Sequence, residues 1–365
     1  MHLYLHVPFC ARRCSYCDFA IAVRRTVPAE QYVAAVRREW EARRAHPAWL
    51  DSPVVDSIYF GGGTPSRLPP EDLARLIVTI AADRPLAPGA EITLEANPED
   101  VTSAAAAAWL ATGINRLSLG LQSFDDNVLR WMHRTHDSCA GPRAVTAARR
   151  AGFDNLSLDL IFGLPSQVER DWVDDLSRAI GLEPDHLSLY GLTTEAGTPL
   201  SRWTARGEVR PVDEAQYTDE YVAAHRALTQ AGFEHYEVSN AARPGRRARH
   251  NAAYWARAPY LGLGPSAHSA ASGERWWNLR EWSAYARAVE EGSDCVAGRE
   301  SPGPDAVRLE ELYLGLRTSE GVPAALVPGP TLARWTRDGW ATAAEGRVRL
   351  TVDGWLRLDA LVASV

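Results

Sequence analysis

The sequence predicts an α/β protein: a partial (β/α)6 barrel, an α+β extension packed on it, and a small C-terminal domain of winged-helix-like pattern. Three observations lead there. Six short β-rich runs alternate with helix-like segments over the first two-thirds of the chain, the mark of βαβ units and a parallel sheet. Glycines and polar residues fall where those runs end, which is where such barrels carry their sites. A stretch rich in Gly, Pro and Ser over 292–304 separates the last 60 or so residues from the rest. The expected divisions are 1–240 for the barrel, 241–295 for the extension and 300–365 for the terminal domain.

The strand-like runs are Leu3–Val7, Ser57–Phe60, Glu91–Ala96, Arg116–Leu121, Asn155–Ile161 and His186–Tyr190. Between them lie helical segments at Ala29–Arg44, Pro70–Ala82, Ser103–Ala111, Pro142–Arg150 and Arg170–Gly181. Right-handed crossovers curl such units one way. Asp213–Gln230 reads as an amphipathic helix. Asp213 and Gln216 resemble a capping box, Gly232 suits the far end, and Tyr217, Tyr221, Ala224 and Leu228 form the apolar stripe. Residues Ala241–Arg249 read as a basic loop. In the terminal unit, helices around Asp305–Leu316 and Thr331–Asp338 precede a strand–turn–strand at Trp340–Leu350. Its acidity and size suit a scaffold or lid.

Composition narrows the function. The chain has 365 residues, 46% of them apolar, enough for a core without staples. A net charge of −7 argues against a general nucleic-acid binder, which carries a basic face. No apolar run reaches the ~18 residues of a membrane span. No charged-then-apolar leader opens the chain, so a cytoplasmic location is expected. The five cysteines are an odd number, three crowded together, and a reducing compartment disfavours disulfides. Cys139 and Cys295 read as small filler residues. Trp255, Trp276, Trp277 and Trp282 read as packing, or as a wall for a large flat ligand.

Cys10, Cys14 and Cys17 form a C-x3-C-x2-C pattern. Three thiolates on one tight loop suit three corners of a cubane and leave the fourth iron open. Zinc sites want four closed ligands, or three plus water, from paired motifs. Incidental thiols and a zinc site are the competing explanations. Arg12 and Arg13 would offset the negative cluster. Gly61-Gly62-Gly63-Thr64-Pro65-Ser66 comes after the second run. Such glycines let the backbone approach a ligand or adopt φ > 0, although ordinary turns do the same. Glu95 ends the third run and is a candidate acceptor for a ligand at the strand end, or a plain surface carboxylate.

The cysteine spacing resembles that of the radical S-adenosylmethionine superfamily. The resemblance implies a 4Fe–4S cluster on Cys10, Cys14 and Cys17. Its open iron chelates S-adenosylmethionine, which is cleaved to methionine and a 5′-deoxyadenosyl radical. It also implies Tyr16 beside the adenine, Tyr4 next to the cofactor, and Gly62, Gly63 and Thr64 at the methionine amino group. LYLHVPFCARRCSYCDF, YFGGGTPS, LGLQSFDDNVLRWMHR, LDLIFGLPSQ and YLGLGPSAHS together resemble one subgroup. It holds the oxygen-independent coproporphyrinogen III oxidases and the HemW-type haem chaperones. From the oxidases the likeness implies cofactor roles for Gln122, Arg134 and Asp159. For Gln122 and Arg134, rim salt-bridge or hydrogen-bond roles are the alternative.

Three features separate the two branches. The oxidases carry a further cysteine two residues past the triad, where this chain has Phe19. They also carry a long arm before the first strand, which here begins at residue 3. His250-Asn251-Ala-Ala-Tyr254-Trp255 resembles the chaperones' HNxxYW haem motif. On a helix His250 and Tyr254 share a face, both side chains can ligate haem iron, and Trp255 could stack on a porphyrin. A hydrogen-bonded core pair is the plain alternative. Arg246, Arg247 or Arg249 could pair with propionates. His268 is a second imidazole candidate, for haem or for the cofactor. The resemblance thus implies a haem chaperone that hands haem to acceptor proteins, among them membrane-associated respiratory enzymes. A coproporphyrinogen III oxidase or related radical enzyme is the alternative.

Overall fold

The computed structural model describes residues 1–49 and 52–365. Seven parallel strands form its centre: β1 (His2–Val7), β4 (Val55–Gly62), β5 (Leu86–Ala96), β6 (Arg116–Gln122), β7 (Leu156–Phe162), β8 (His186–Gly191) and β11 (Tyr260–Leu263). A short parallel pair, β2 (Phe9–Cys10) and β3 (Ala22–Val23), lies beside them. The first six central strands fall where the alternation predicts them. β11 pairs with the free side of β1.

Antiparallel strands extend both edges. β9 (Glu234–Glu237) and β10 (Asn240–Ala242) lie beyond β8. On the other side β12 (His268–Ala271), β13 (Glu274–Asn278) and β14 (Val296–Glu300) lie beyond β11, making a twelve-stranded mixed sheet. Two sequence expectations need correction here. The start of the basic loop, Ala241 and Ala242, belongs to β10 (Asn240–Ala242), paired with β8. The expected linker over 292–304 contains β14, paired with β13 from Arg275 to Asn278. Gly and Pro density hid a strand whose partner lies twenty residues upstream.

The two faces of the central sheet differ in chemistry. Side chains alternate along a strand, and the register aligns like with like across it. Leu3, Ile58, Ile92, Leu94, Leu117, Leu156, Leu158 and Leu187 share one buried face. The other carries rows of polar groups. Tyr4 lies by Tyr59, Thr93 and Arg116, while Glu95 lies by Ser118, Ser157 and His186. Buried polar groups persist only when bonded, so this face is suited to a site.

The apolar face is covered by α1 (Ala29–Arg43), α2 (Pro70–Asp83) and α3 (Ser103–Ala111). α4 (Asp126–Trp131) lies near the cysteine loop, and α5 (Ala140–Ala151) and α6 (Trp172–Gly181) continue the cover. α7 (Pro199–Ala205) and α8 (Glu214–Gln230) come next in the chain. Asp213 caps α8 by accepting from Gln216 N–H at 2.7 Å. The capping box is only half formed, because the Gln216 amide bonds Glu220 instead. Gly232 takes the left-handed φ of +81° expected past the end.

α9 (Arg249–Trp255) and α10 (Trp282–Glu290) belong to the extension. The terminal unit is α11 (Pro304–Leu316), β15 (Val322–Pro323), α12 (Gly329–Arg337), β16 (Ala341–Ala344), β17 (Arg347–Leu350), α13 (Val352–Trp355) and α14 (Leu358–Val362). Its three strands pair in the order β15–β17–β16. It docks on β9 through Arg317, whose guanidinium meets Glu237 at 2.8 Å. Trp335 on α12 is fully buried. Trp335→Ala should cost about 3–5 kcal/mol through the cavity it leaves. Chemical denaturation would read it, and a loss below about 1 kcal/mol would contradict that burial.

Candidate functional site: two cavities either side of the Asp18–Phe19 turn

The three cysteines sit on one loop that the backbone closes at its base. Ala22 N–H donates to the Pro8 carbonyl at 2.7 Å, and Arg24 N–H to the Cys10 carbonyl at 2.9 Å. Further bonds from Ser15 to Met132 and from Leu200 to Ser15 pin the middle. All three cysteines line a cavity of about 370 Å³ at the C-terminal ends of the parallel strands. Tyr16, Gly62, Gly63, Thr64, Glu95, Gln122, Arg134 and Asp159 line it too. So nearly the whole set of expected cofactor residues converges. Tyr4 does not line this cavity; it lines a second one and hydrogen-bonds His6 Nδ1 at 3.1 Å.

Local chemistry explains the glycines. Gly62 has φ +109°, and a Cβ there would lie 2.6 Å from the His6 ring. A Cβ on Gly63 would lie 2.7 Å from the Pro8 carbonyl carbon. No other residue fits this cradle. Gly62 N–H donates to Glu95 Oε2 at 3.0 Å, and Tyr59 O–H donates to Oε1 at 2.8 Å. Burial pushes the Glu95 carboxyl up to about 7; those two bonds oppose the rise and nearby Asp159 adds to it. Gln122 holds φ +69° beside a register shift between β6 and β7. Such a conformation is uncommon in a non-glycine residue, and here it coincides with an irregularity at the end of the strand.

The sulfurs have specific neighbours. Thr64 Oγ1–H points at Cys10 Sγ at 3.4 Å, and Arg134 Nη1 at Cys14 Sγ at 3.6 Å. Arg134 is itself fixed by Asn97 Oδ1 at 2.7 Å and the Gly120 carbonyl at 2.9 Å. Arg12 and Arg13 are exposed, and Arg13 bonds a backbone carbonyl, not a sulfur. The guanidinium that reaches a thiol therefore comes from far along the chain. Burial raises the Cys10 thiol and pushes Cys17 up to about 11. Such thiols release protons when metal binds.

The donor set suits a cluster. All three cysteines line one cavity, and three thiolates would leave the fourth iron of a cubane open to a ligand.

The second cavity measures about 590 Å³. Asp18 and Phe19 line both cavities, which adjoin there. Tyr254 and Trp255 line the second one, with Tyr260, His268 and Arg280. His250 does not. It is 1% exposed, its Nδ1 bonded to Ser57 Oγ at 2.8 Å and its Nε2 to Tyr254 OH at 2.8 Å. Burial pushes its pKa down to about 3. Asn251 is half-buried on the same helix. The 249–250 turn lacks a cap of its own; Glu91 on β5 accepts from Arg249 and His250 N–H at 3.1 and 3.0 Å. Glu91 and Tyr59 are structural residues that motif spacing does not reveal, whereas Asn97 is one of the polar residues the sequence places at the end of the third strand run. Only strand alternation marks Glu91 and Tyr59.

An aromatic column joins the two cavities. Tyr59, bonded to Glu95, stacks on His250 at 5.1 Å between centroids. His250 in turn bonds Tyr254, which meets Tyr260 edge-on at 4.6 Å.

Comparison with known proteins agrees with this architecture. The radical SAM superfamily pattern matches residues 4–179. The chain is 38% identical over 369 residues to heme chaperone HemW of Mycobacterium tuberculosis, covering 100% of this chain and 94% of that one. It is also 38% identical to heme chaperone HemW of Synechocystis, covering 89% and 80%, and to that of Escherichia coli, covering 73% and 69%. The solved coproporphyrinogen III oxidase HemN of Escherichia coli superposes with a TM-score of 0.82 at 24% identity, over 99% of this chain and 88% of that one. That likeness speaks for the fold. Near-complete coverage at this identity, on a barrel whose strand ends gather the cysteine triad and glycine cradle, means that the chain belongs to the HemW family of the radical SAM superfamily.

Proposed function

We propose that this protein carries haem to acceptor proteins and holds a 4Fe–4S cluster with S-adenosylmethionine beside the haem. One observation carries the proposal: a cysteine-lined cavity and an aromatic cavity share the Asp18–Phe19 wall. Cys10, Cys14 and Cys17 take three irons, and Gly62, Gly63, Thr64 and Glu95 receive the amino-acid part of the ligand. Tyr16 lies by its adenine, and Gln122, Arg134 and Asp159 complete the wall. When bound, such a cluster supplies an electron to the ligand's sulfonium. Tyr4 backs the second cavity. Tyr254 and Trp255 form the haem wall, and His250 and Asn251 support it. Haem-requiring proteins, membrane-associated respiratory enzymes among them, receive the cargo in the cytoplasm. No helix among the described residues is long and apolar enough to cross a membrane.

The test is an anaerobic hemin titration of the whole chain, followed by transfer to a haem-free acceptor. Saturable binding is expected, weakened by His250→Ala plus Tyr254→Ala. Absence of saturable binding defeats the proposal. Vinyl-bearing product from coproporphyrinogen III on the same samples would favour the oxidase instead.

Glu95 makes the cofactor site pH-dependent. With its carboxyl pushed up to about 7, it is mostly neutral a unit below that and ionised a unit above. A cationic ligand prefers the ionised form, so S-adenosylmethionine should bind more tightly as pH rises through this range. Glu95→Gln should flatten that profile and weaken binding by about 2 kcal/mol, the scale of a charged hydrogen bond. The sign for stability is opposite. The folded state holds this proton more tightly than the unfolded chain, so the ligand-free protein loses stability between the ordinary carboxyl range and about pH 7. Calorimetric titration on either side of neutrality checks the first effect; a pH-independent affinity would refute it.

A further inference from the structure

We propose that the second cavity binds its porphyrin with His268, not His250 or Tyr254, as the iron ligand. This rests on the haem-carrier proposal above and specifies its binding site. An iron ligand must offer a ring nitrogen to the cavity. Two imidazoles line it, His6 and His268. His6 is buried, with Nε2 donating to the Ala20 carbonyl at 2.8 Å and Nδ1 bonded to Tyr4 at 3.1 Å. His250, behind the wall, has both nitrogens engaged, and the Tyr254 hydroxyl is engaged with it.

His268 differs on each count. It is exposed, and neither ring nitrogen has a hydrogen-bond partner among the described residues. Its ring lies 5.8 Å from that of Trp277, nearly parallel at 24°. The β12–β13 register pairs these two residues directly and sets Ala270 against Arg275 on the same face. Ala270 is small and leaves room beside the imidazole.

The mounting is rigid. Gly264 at φ +98° and Ser266 at φ +60° lead into β12. A Cβ on Gly264 would lie 2.6 Å from the His6 carbonyl oxygen. Ser266 N–H donates to the Leu279 carbonyl at 2.9 Å, and Ser269 Oγ receives Gly262 N–H at 2.9 Å.

The rest of the cavity suits the rest of a porphyrin. Its volume of about 590 Å³ lies within the range of sites that engulf a flat organic ligand. Tyr254 and Tyr260 supply an aromatic wall. Trp255 lines the cavity too, with the Arg317 guanidinium stacked over its ring at 4.3 Å. Arg257 and Arg275 are held by Glu310. Arg280 bonds the Asp18 carbonyl and no carboxylate among the described residues, so it is the guanidinium offered to a propionate.

Hemin titrations of the full chain decide this. His268→Ala should lower affinity by at least about tenfold, the scale on which metal sites respond even to outer-layer partners. It should also move the Soret band, and added imidazole should restore it. Tyr254→Phe should leave the band where it is. A His268→Ala protein that binds hemin with unchanged affinity and spectrum overturns this assignment and leaves the haem-carrier proposal standing. A shifted band in Tyr254→Phe alone overturns it too. Absence of saturable binding by the unaltered chain defeats the carrier proposal itself.

Discussion

Glu39→Ala should destabilise the protein by about 3–5 kcal/mol, the range seen when one partner of a buried charged network is removed. Glu39 lies on α1 and is 3% exposed. Its carboxylate accepts from Gly264 N–H at 2.8 Å, from the Asn278 amide at 2.6 Å and from the Tyr285 hydroxyl at 2.6 Å. Burial raises its pKa, and those three donors oppose the rise. One side chain thus ties the first helix to the turn after β11, the end of β13 and α10. Removing it strips Gly264 N–H and the Tyr285 hydroxyl of the acceptor they share and leaves the Asn278 amide with the Gly264 carbonyl alone, each buried donor left unpaired costing about 1–3 kcal/mol. The same turn leads into His268, so hemin affinity should fall with stability. Urea denaturation measures the first effect and the Soret titration the second. A loss under about 1 kcal/mol would mean that water replaces the carboxylate without penalty.

Cys14→Ser should abolish the cluster while sparing the fold. A serine hydroxyl is far less acidic than a thiol and a poorer ligand for these irons, which are held by thiolates. After anaerobic reconstitution, iron should fall from about four per chain to below about one, and the broad visible absorbance should vanish. Cys14 is only half-buried, so thermal unfolding of the metal-free protein should shift little. Cys139→Ser is the matched control: Cys139 is exposed at the start of α5, away from the site. Full iron retention by Cys14→Ser would remove Cys14 from the ligand set. Arg134→Gln should act in between, because its guanidinium meets Cys14 Sγ without being a ligand.

The aromatic column gives these sites a physical link. Tyr59 touches Glu95 on one side and His250 on the other. Hemin affinity measured with and without S-adenosylmethionine would report any coupling, and Tyr59→Phe removes its hydrogen bond to Glu95.

Much of this architecture is legible in the chain itself. The six strand runs and their helices follow from local alternation of residue types. The cysteine loop and the glycine cradle are contiguous, so spacing alone reveals them. The likeness to HemW-type proteins is likewise legible in short motifs. Other features escape because their partners are distant. β14 looks like a linker, since its pairing with β13 compensates for poor local propensity. Arg12 and Arg13 look like the cluster's cations, yet Arg134, 120 residues from Cys14, reaches a sulfur.

The haem motif shows the same division most clearly. Spacing rightly sets His250 and Tyr254 on one helical face. Whether that imidazole meets a ligand or is sealed away depends on Ser57, 193 residues upstream, and on Glu91 capping the helix from β5. Sequence by itself determined the residue types, their local periods and the contiguous loops, because those depend on neighbours along the chain. Tertiary structure alone decided which side chains keep a free hydrogen-bonding atom, because burial and long-range partners are properties of the packed sheet.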